Sequence, residues 1–353
     1  MRATRGPVAP PMWTVNNKTP FAAERTILCD ANGSMVWIVV VKGTFAIKPD
    51  GTTVVADKQA DVCVKPEHHG DPATSALLYD MDLVHTKPTT DILVNGHAYT
   101  PNGKPDFEVD ATIQVAGVTK SARAFGDRIW EKGVAGLKIS DPQPFLKMPI
   151  VYERAYGGTV EPPAEGKNPA MERRNPVGVG YAKAPESLIG TPVPNIEHPE
   201  QLLSGTRLRS VPVGFGPIGR HWVPRVDWAG TYDETWEKER LPLLPRDFDE
   251  RFYQSAPPDQ QSPQYLKGGE PVALLNLTPD GLLRFNLPRV WLSFQTTIAD
   301  QVIDHHANLH TVILEPDAPQ VIMVWHTSVP CHGKDTKIKG TTVELKEYRD
   351  LSR

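Results

Sequence analysis

From Phe21 onward, short apolar stretches separated by turn residues set the pattern, and their period is that of strands. Phe21–Cys29 and Met35–Ile47, joined across Asp30-Ala31-Asn32-Gly33, predict a long hairpin. Within it Val36-Trp37-Ile38-Val39-Val40-Val41 is a continuous apolar run, as expected of a central strand covered on both faces, and Met35–Val41 is expected to be deeply buried. After Pro49-Asp50-Gly51 a short strand is expected at Thr53–Ala56, and another at Ile92–Tyr99. Val109–Val115 and Val118–Phe125 flank Ala116-Gly117 and read as a second hairpin. Its alternation of Asp110, Thr112 and Gln114 with Ala111, Ile113 and Val115 marks one wet face.

Strand patterns return near the end of the chain. Val272–Leu277 and Leu282–Leu287 flank Thr278-Pro279-Asp280-Gly281, and Val290–Thr297 follows. His310–Leu314 and Val321–His326 make another pair, with a last short strand at Thr341–Lys346. Between the two β regions, residues 141–265 hold 19 of the 35 prolines and alternate nowhere for long. The best helix there is Asp233–Arg240, opened by Thr231 or Asp233 and closed before Pro242. Trp222, Trp228, Trp236, Phe248, Phe252, Tyr253 and Tyr265 fall in the same stretch. That aromatic density predicts an ordered, irregular layer packed on the sheets. The expected architecture is mainly β, with sandwich-like antiparallel sheets and few short helices. Its parts are a lead-in over residues 1–20, a β-rich region over 21–140, the proline-rich layer over 141–265, and a β-rich region over 266–353 that packs with the first.

Composition narrows the possibilities. Proline at this frequency excludes a long-helix bundle or coiled coil. Lys plus Arg is 38 against 42 Asp plus Glu, so a net charge of −4 gives no general drive toward nucleic acid or anionic lipid. Cys29, Cys63 and Cys331 form no C-x-x-C and cannot all pair, which fits a reducing compartment. Met1–Trp13 lacks the apolar core of a signal peptide, and no apolar run approaches a membrane span. The expectation is a cytoplasmic protein.

Candidate chemistry is sparse. His305, His306 and His310, with His326, His332 and Cys331, are the residue types of a zinc site, but without an H-E-x-x-H spacing they read as structural or surface groups. Asp80, Asp82 and Asp91 surround Lys87, and Asp247 and Asp249 sit beside Arg246 and Arg251. Such carboxylates read as ion pairs and turn caps more readily than as a catalytic pair. Gly214–Gly219 fits G-x-G-x-x-G, but Pro217 removes a donor and no strand-then-helix surrounds it, so it reads as a turn that brings Arg220, His221 and Trp222 close. No P-loop and no G-x-S-x-G is present. No catalytic residue, cofactor or metal ligand is assigned. A metal- or carboxylate-dependent hydrolase remains one alternative. A carbohydrate-binding module stacking sugars on Trp222, Trp228 or Trp236 is the other.

An ordered series of motifs carries a family resemblance. It runs through Phe21–Arg25, Val36–Phe45, Tyr79–Val84, Lys87–Asp91, Asn95–Tyr99 and Phe125–Arg128. It continues through Tyr152–Gly158, Asn175–Gly178, Gly214–Trp222, Asp247–Asp249, Ser255–Gln260 and Pro330–His332. The series resembles a bacterial family catalogued as a domain of unknown function and tied to type VI secretion. Its members act as adaptors or effector-loading chaperones, encoded beside VgrG spikes, PAAR or PAAR-like proteins and toxic effectors. The resemblance implies a non-enzymatic, cytoplasmic role, with an effector and the VgrG and PAAR spike proteins as partners, and neither nucleic acid nor membrane among them.

On the residues themselves, Glu24 with Arg25 and Glu153 with Arg154 read as fold-specifying ion pairs. A partner-facing groove is expected along residues 205–265, with Arg220, Trp222, Trp228 and Tyr253 as candidate contacts. Addition of an effector strand to an open sheet edge is the alternative.

Overall fold

A computed structural model describes residues 13–134, 136–160 and 169–349; of the lead-in over residues 1–20, residues 1–12 lie outside them and Thr14–Lys18 is a strand. The chain is mainly β, built from several antiparallel sheets, with two short helices among the described residues.

Three sheets make the framework. The central one takes Met35–Ile47 as its longest strand. Ala22–Cys29 pairs with it on one side and Gln320–Pro330 on the other, both antiparallel. Asn308–Glu315 continues the sheet beyond Gln320–Pro330, and Asp91–Val94 closes it by pairing parallel to Asn308–Glu315. Strands from both ends of the sequence thus interleave in one sheet. A second sheet runs Ile196–Glu197, Val118–Phe125, Glu108–Val115, Pro271–Leu275 and Leu282–Asn286. A third runs Thr14–Lys18, Ile338–Arg349, Arg289–Ile298 and Gln301–His305.

Burial explains the continuous apolar run. Trp37, Val39, Val41 and Phe45 point into the main core, which they share with Ile113, Leu274, Phe285, Phe294 and Val343 from the other two sheets. Val36, Ile38 and Val40 point the other way, onto Val62 and Leu83. With no wet face there is no alternation to see. A fully buried aliphatic or aromatic side chain contributes roughly 1.5–3 kcal/mol, so this strand anchors the fold. Met35 departs from the expectation: at the strand's start it is exposed.

Both predicted hairpins at the front of the chain form, with Glu24 opposite Val40 and Ala111 opposite Ala122. Ile92–Tyr99 is not one strand. Asp91–Val94 and His97–Tyr99 belong to different sheets, broken at Asn95-Gly96. Gly96 packs so closely on Pro316 that a Cβ would lie 2.9 Å from its ring. Thr341–Lys346 is the middle of a longer strand, Ile338–Arg349, and the strands Thr14–Lys18 and Gln301–His305 carry too little apolar pattern to have been foreseen.

The two proposed ion pairs are also corrected. Glu24 and Arg25 pair at 3.1 Å, but both side chains are more than two-fifths exposed, so the bridge is a surface one. Glu153 and Arg154 do not pair. Glu153 accepts the Ala76 N–H at 2.7 Å, and Arg154 donates to Asn195 Oδ1 at 2.9 Å. No helix among the described residues is long and apolar enough to cross a membrane.

Candidate partner-binding face

The outer face of the central sheet is where the proline-rich layer docks, and buried charge fixes it there. Asp80 Oδ2 accepts from Arg225 Nη2 at 2.8 Å, and Asp80 Oδ1 lies 3.4 Å from Arg220 Nη2. Arg225 is fully buried in the short helix Arg225–Trp228. Its guanidinium also donates to the Ile218 carbonyl at 2.6 Å and to the Phe252 carbonyl at 3.0 and 3.1 Å. One side chain thereby ties three separate segments of the layer together. Burial pushes the Asp80 carboxyl up, but Arg225, Arg220 and Lys87 together hold it below its usual value.

Two further buried pairs flank this one. Lys87 Nζ lies 2.6 Å from Asp91 Oδ2 and 2.9 Å from Thr311 Oγ1. The same Asp91 oxygen accepts the Ser255 N–H at 2.7 Å, which carries the clamp into the layer. Lys42 pairs with Asp82 at 3.0 Å, and Asp82 also accepts the Cys63 N–H at 2.7 Å. Burial, with Asp82 nearby, raises the Cys63 thiol to about 11, so it stays protonated and is a poor nucleophile. Asp80, Asp82 and Asp91 are therefore each committed to a different cation. A buried pair stabilises weakly as a whole, but losing one partner costs about 3–5 kcal/mol.

The glycine run behaves as a close-packing turn. A Cβ on Gly214 would lie 2.9 Å from the Tyr152 ring, and one on Gly219 would lie 2.8 Å from the Trp222 indole. Gly219 is what lets Trp222 turn inward. There Trp222 is almost completely buried, edge-on to Tyr152 at 5.3 Å, and donates from Nε1 to His221 Nε2 at 2.9 Å. The expectation of Trp222 as a partner-facing anchor is corrected: in this packing it is part of the layer's own core.

The other three candidates stay nearer the surface. The Arg220 side chain is about one-third exposed. Tyr253 is half-buried in a cluster with Phe248, Phe252 and His85. Trp228 is half-buried under the Arg251 guanidinium, 4.9 Å from its ring. The second helix, Glu234–Glu239, is shorter than expected and is capped by Asp233, which accepts the Trp236 N–H at 2.9 Å. Trp236 is half-buried, meets exposed Tyr232 edge-on and donates to the Leu243 carbonyl. Exposed Leu241 lies just past this helix. Tryptophans in three such different settings do not form an open row for stacking sugars.

The histidines also separate. His305 bridges two sheets, with Nδ1 2.6 Å from Thr327 Oγ1 and Nε2 2.7 Å from Thr296 Oγ1. His310 is buried and stacks on His326 at 4.2 Å. His306 is exposed beside Trp291. Among the described residues no group of three or more His, Cys, Asp or Glu is placed to hold a metal ion. Burial lowers His305 and His326 to about 4 and His310 well below its usual value, so these rings are neutral near pH 7. Arg225 and Lys42, central to the buried clamp, were not singled out from sequence. The signal was a lone cation flanked by apolar residues and proline, as in Val223-Pro224-Arg225-Val226.

A family model described as "Uncharacterized protein conserved in bacteria (DUF2169)" matches residues 32–326. No curated protein matches the chain, and no solved structure does.

Proposed function

The chain belongs to the DUF2169 family of bacterial proteins, and from that footing we propose that it is an adaptor. It binds a type VI secretion effector in the cytoplasm of the producing cell and helps load it onto the VgrG and PAAR-type spike. The motif series from Phe21–Arg25 to Pro330–His332 supports the type VI connection, because that series resembles the adaptor family tied to type VI secretion.

The observation that carries a binding role is the state of residues 205–265. This layer has almost no ladder hydrogen bonding, yet it is clamped to the Asp80 loop through Arg225 and to the central sheet through Ser255, and it leaves Tyr232, Leu241 and part of Arg220 at the surface. A surface ordered before binding loses little chain entropy when a partner docks. Aromatic and arginine side chains at such a surface are the usual anchors. The proposed role is non-enzymatic, and it is supported by Asp80, Asp82, Asp91 and His305 each holding a structural partner.

The test is co-purification of the tagged chain with the effector and spike proteins encoded beside it, with effector secretion measured in a deletion strain. The expected result is a stable effector complex and loss of that effector's secretion on deletion. No captured effector, with secretion unchanged, overturns the reading.

A further inference from the structure

The strand Arg289–Ile298 is paired unequally on its two sides. Ile338–Arg349 follows it to Arg289, whereas Gln301–His305 stops at Phe294. There the chain turns away at His306-Ala307 and enters the central sheet as Asn308–Glu315. Over Val290–Ser293 this edge has no backbone partner among the described residues. An unpaired edge is a template for another strand.

What lies beside it is a cavity of about 440 Å³. Buried Leu292, Leu309 and Trp325 line it, and Tyr265, at the end of the proline-rich layer, forms a wall with Leu266 just past it. At its mouth Trp291 is 58% exposed. Lys267 also lines the mouth, and Arg289 adjoins it. Arg289 reaches only the Gly268 carbonyl, at 3.3 and 3.4 Å, and neither cation has a carboxylate partner among the described residues. Open backbone, an apolar hollow and two cationic side chains without an ion pair among the described residues therefore meet at one place, with the Glu270 carboxylate held nearby on the Lys267 backbone N–H at 2.7 Å.

We propose that an extended apolar and acidic segment of a partner protein adds to this edge as a short strand. Its backbone continues the ladder along Val290–Ser293. Alternate side chains then divide between two faces. An apolar one enters the hollow over Leu292 and Leu309, and its neighbour packs outside against Trp291. Acidic residues at the ends meet Lys267 and Arg289. This mode of recognition takes affinity from main-chain hydrogen bonds and specificity from the side-chain pocket. The inference rests on the adaptor reading and gives it a second contact surface.

The probe is a blocked, fluorescein-labelled peptide of alternating valine and glutamate, with a valine–lysine peptide as control. Binding to the full chain is followed by anisotropy and by backbone hydrogen exchange. The glutamate peptide is expected to bind more tightly than the lysine peptide and to slow exchange at Val290–Ser293. Trp291→Ala and Lys267→Glu should each weaken it about tenfold at an unchanged melting temperature, and Lys267→Glu should narrow the preference over the lysine peptide. No binding, equal binding by both variants, or protection elsewhere overturns the site. Effector capture separates this from the adaptor reading. Full capture by the Trp291→Ala, Lys267→Glu double variant overturns the edge site and leaves the adaptor intact. A wild-type chain that captures no effector yet protects Val290–Ser293 with peptide overturns the adaptor and leaves the edge site.

Discussion

In the central sheet, Met35–Ile47 is held by ladders on both sides and by apolar packing on both faces. The 205–265 layer is held in another way. There side chains satisfy backbone groups one at a time: Arg225 takes the Ile218 and Phe252 carbonyls, and Gln260 Nε2 donates to the Ile92 and Phe215 carbonyls, both at 2.9 Å. A ladder shares its load among many equivalent bonds. The layer concentrates its load on a few polar side chains, so its weak points are single residues. Buried backbone groups must be paired by one route or the other.

The hardest break is in the sheet. Val39→Asp places a carboxylate without a partner at a fully buried position, at a cost of several kcal/mol out of a total of roughly 5–15. Soluble yield should vanish; normal yield and an unchanged melting temperature would refute the packing described. Arg225→Met should cost about 3–5 kcal/mol by stranding Asp80, and the damage should be local. Hydrogen exchange and proteolysis should rise in 205–265 before Val36–Val41 loses protection, and a uniform rise would show that the two regions are one cooperative unit.

Acid should also strain the molecule. His305 and His326 titrate near 4 when folded, against about 6.5 when unfolded. Between those values the unfolded chain binds more protons, so stability falls as pH drops from about 6.5 to 4 and the loss is complete below that. For His326 the loss is on the order of 3 kcal/mol. Melting temperatures across that range should show the slope, and His326→Asn should flatten it. The smallest effect belongs to the exposed Glu234–Lys238 pair at 3.2 Å. Glu234→Ala should change stability by less than about 0.5 kcal/mol, visible only as a marginal shift in a denaturant melt.

The same contrast explains what could be read from sequence. Val36–Val41 and the alternation of Val109–Val115 state their burial directly, so the strands and the mainly β class were legible. Gln301–His305 was not, since exposed Gln301, Val302 and Asp304 give no period. In the layer, the helix start was legible as Thr231 or Asp233 because a cap is local chemistry, and Asp233 is the cap formed. Trp222 was not: whether an indole faces in or out depends on Gly219 and on Tyr152, which lies 70 residues earlier in the chain. The same holds for Arg225 and Asp80, which are 145 positions apart and meet only in the finished fold.

The interleaving of the central sheet bears on how the protein is made. Val41 pairs with Trp325, so Met35–Ile47 leaves the ribosome about 280 residues before the strand that completes it. At ~5–20 residues per second, that is a wait of roughly 15–60 s with one edge of a nearly all-apolar strand uncovered. The chain therefore passes through a long nascent stage in which a strand that is buried on both faces in the finished fold still has an open edge. Synthesis of Gln320–Pro330 ends that exposure.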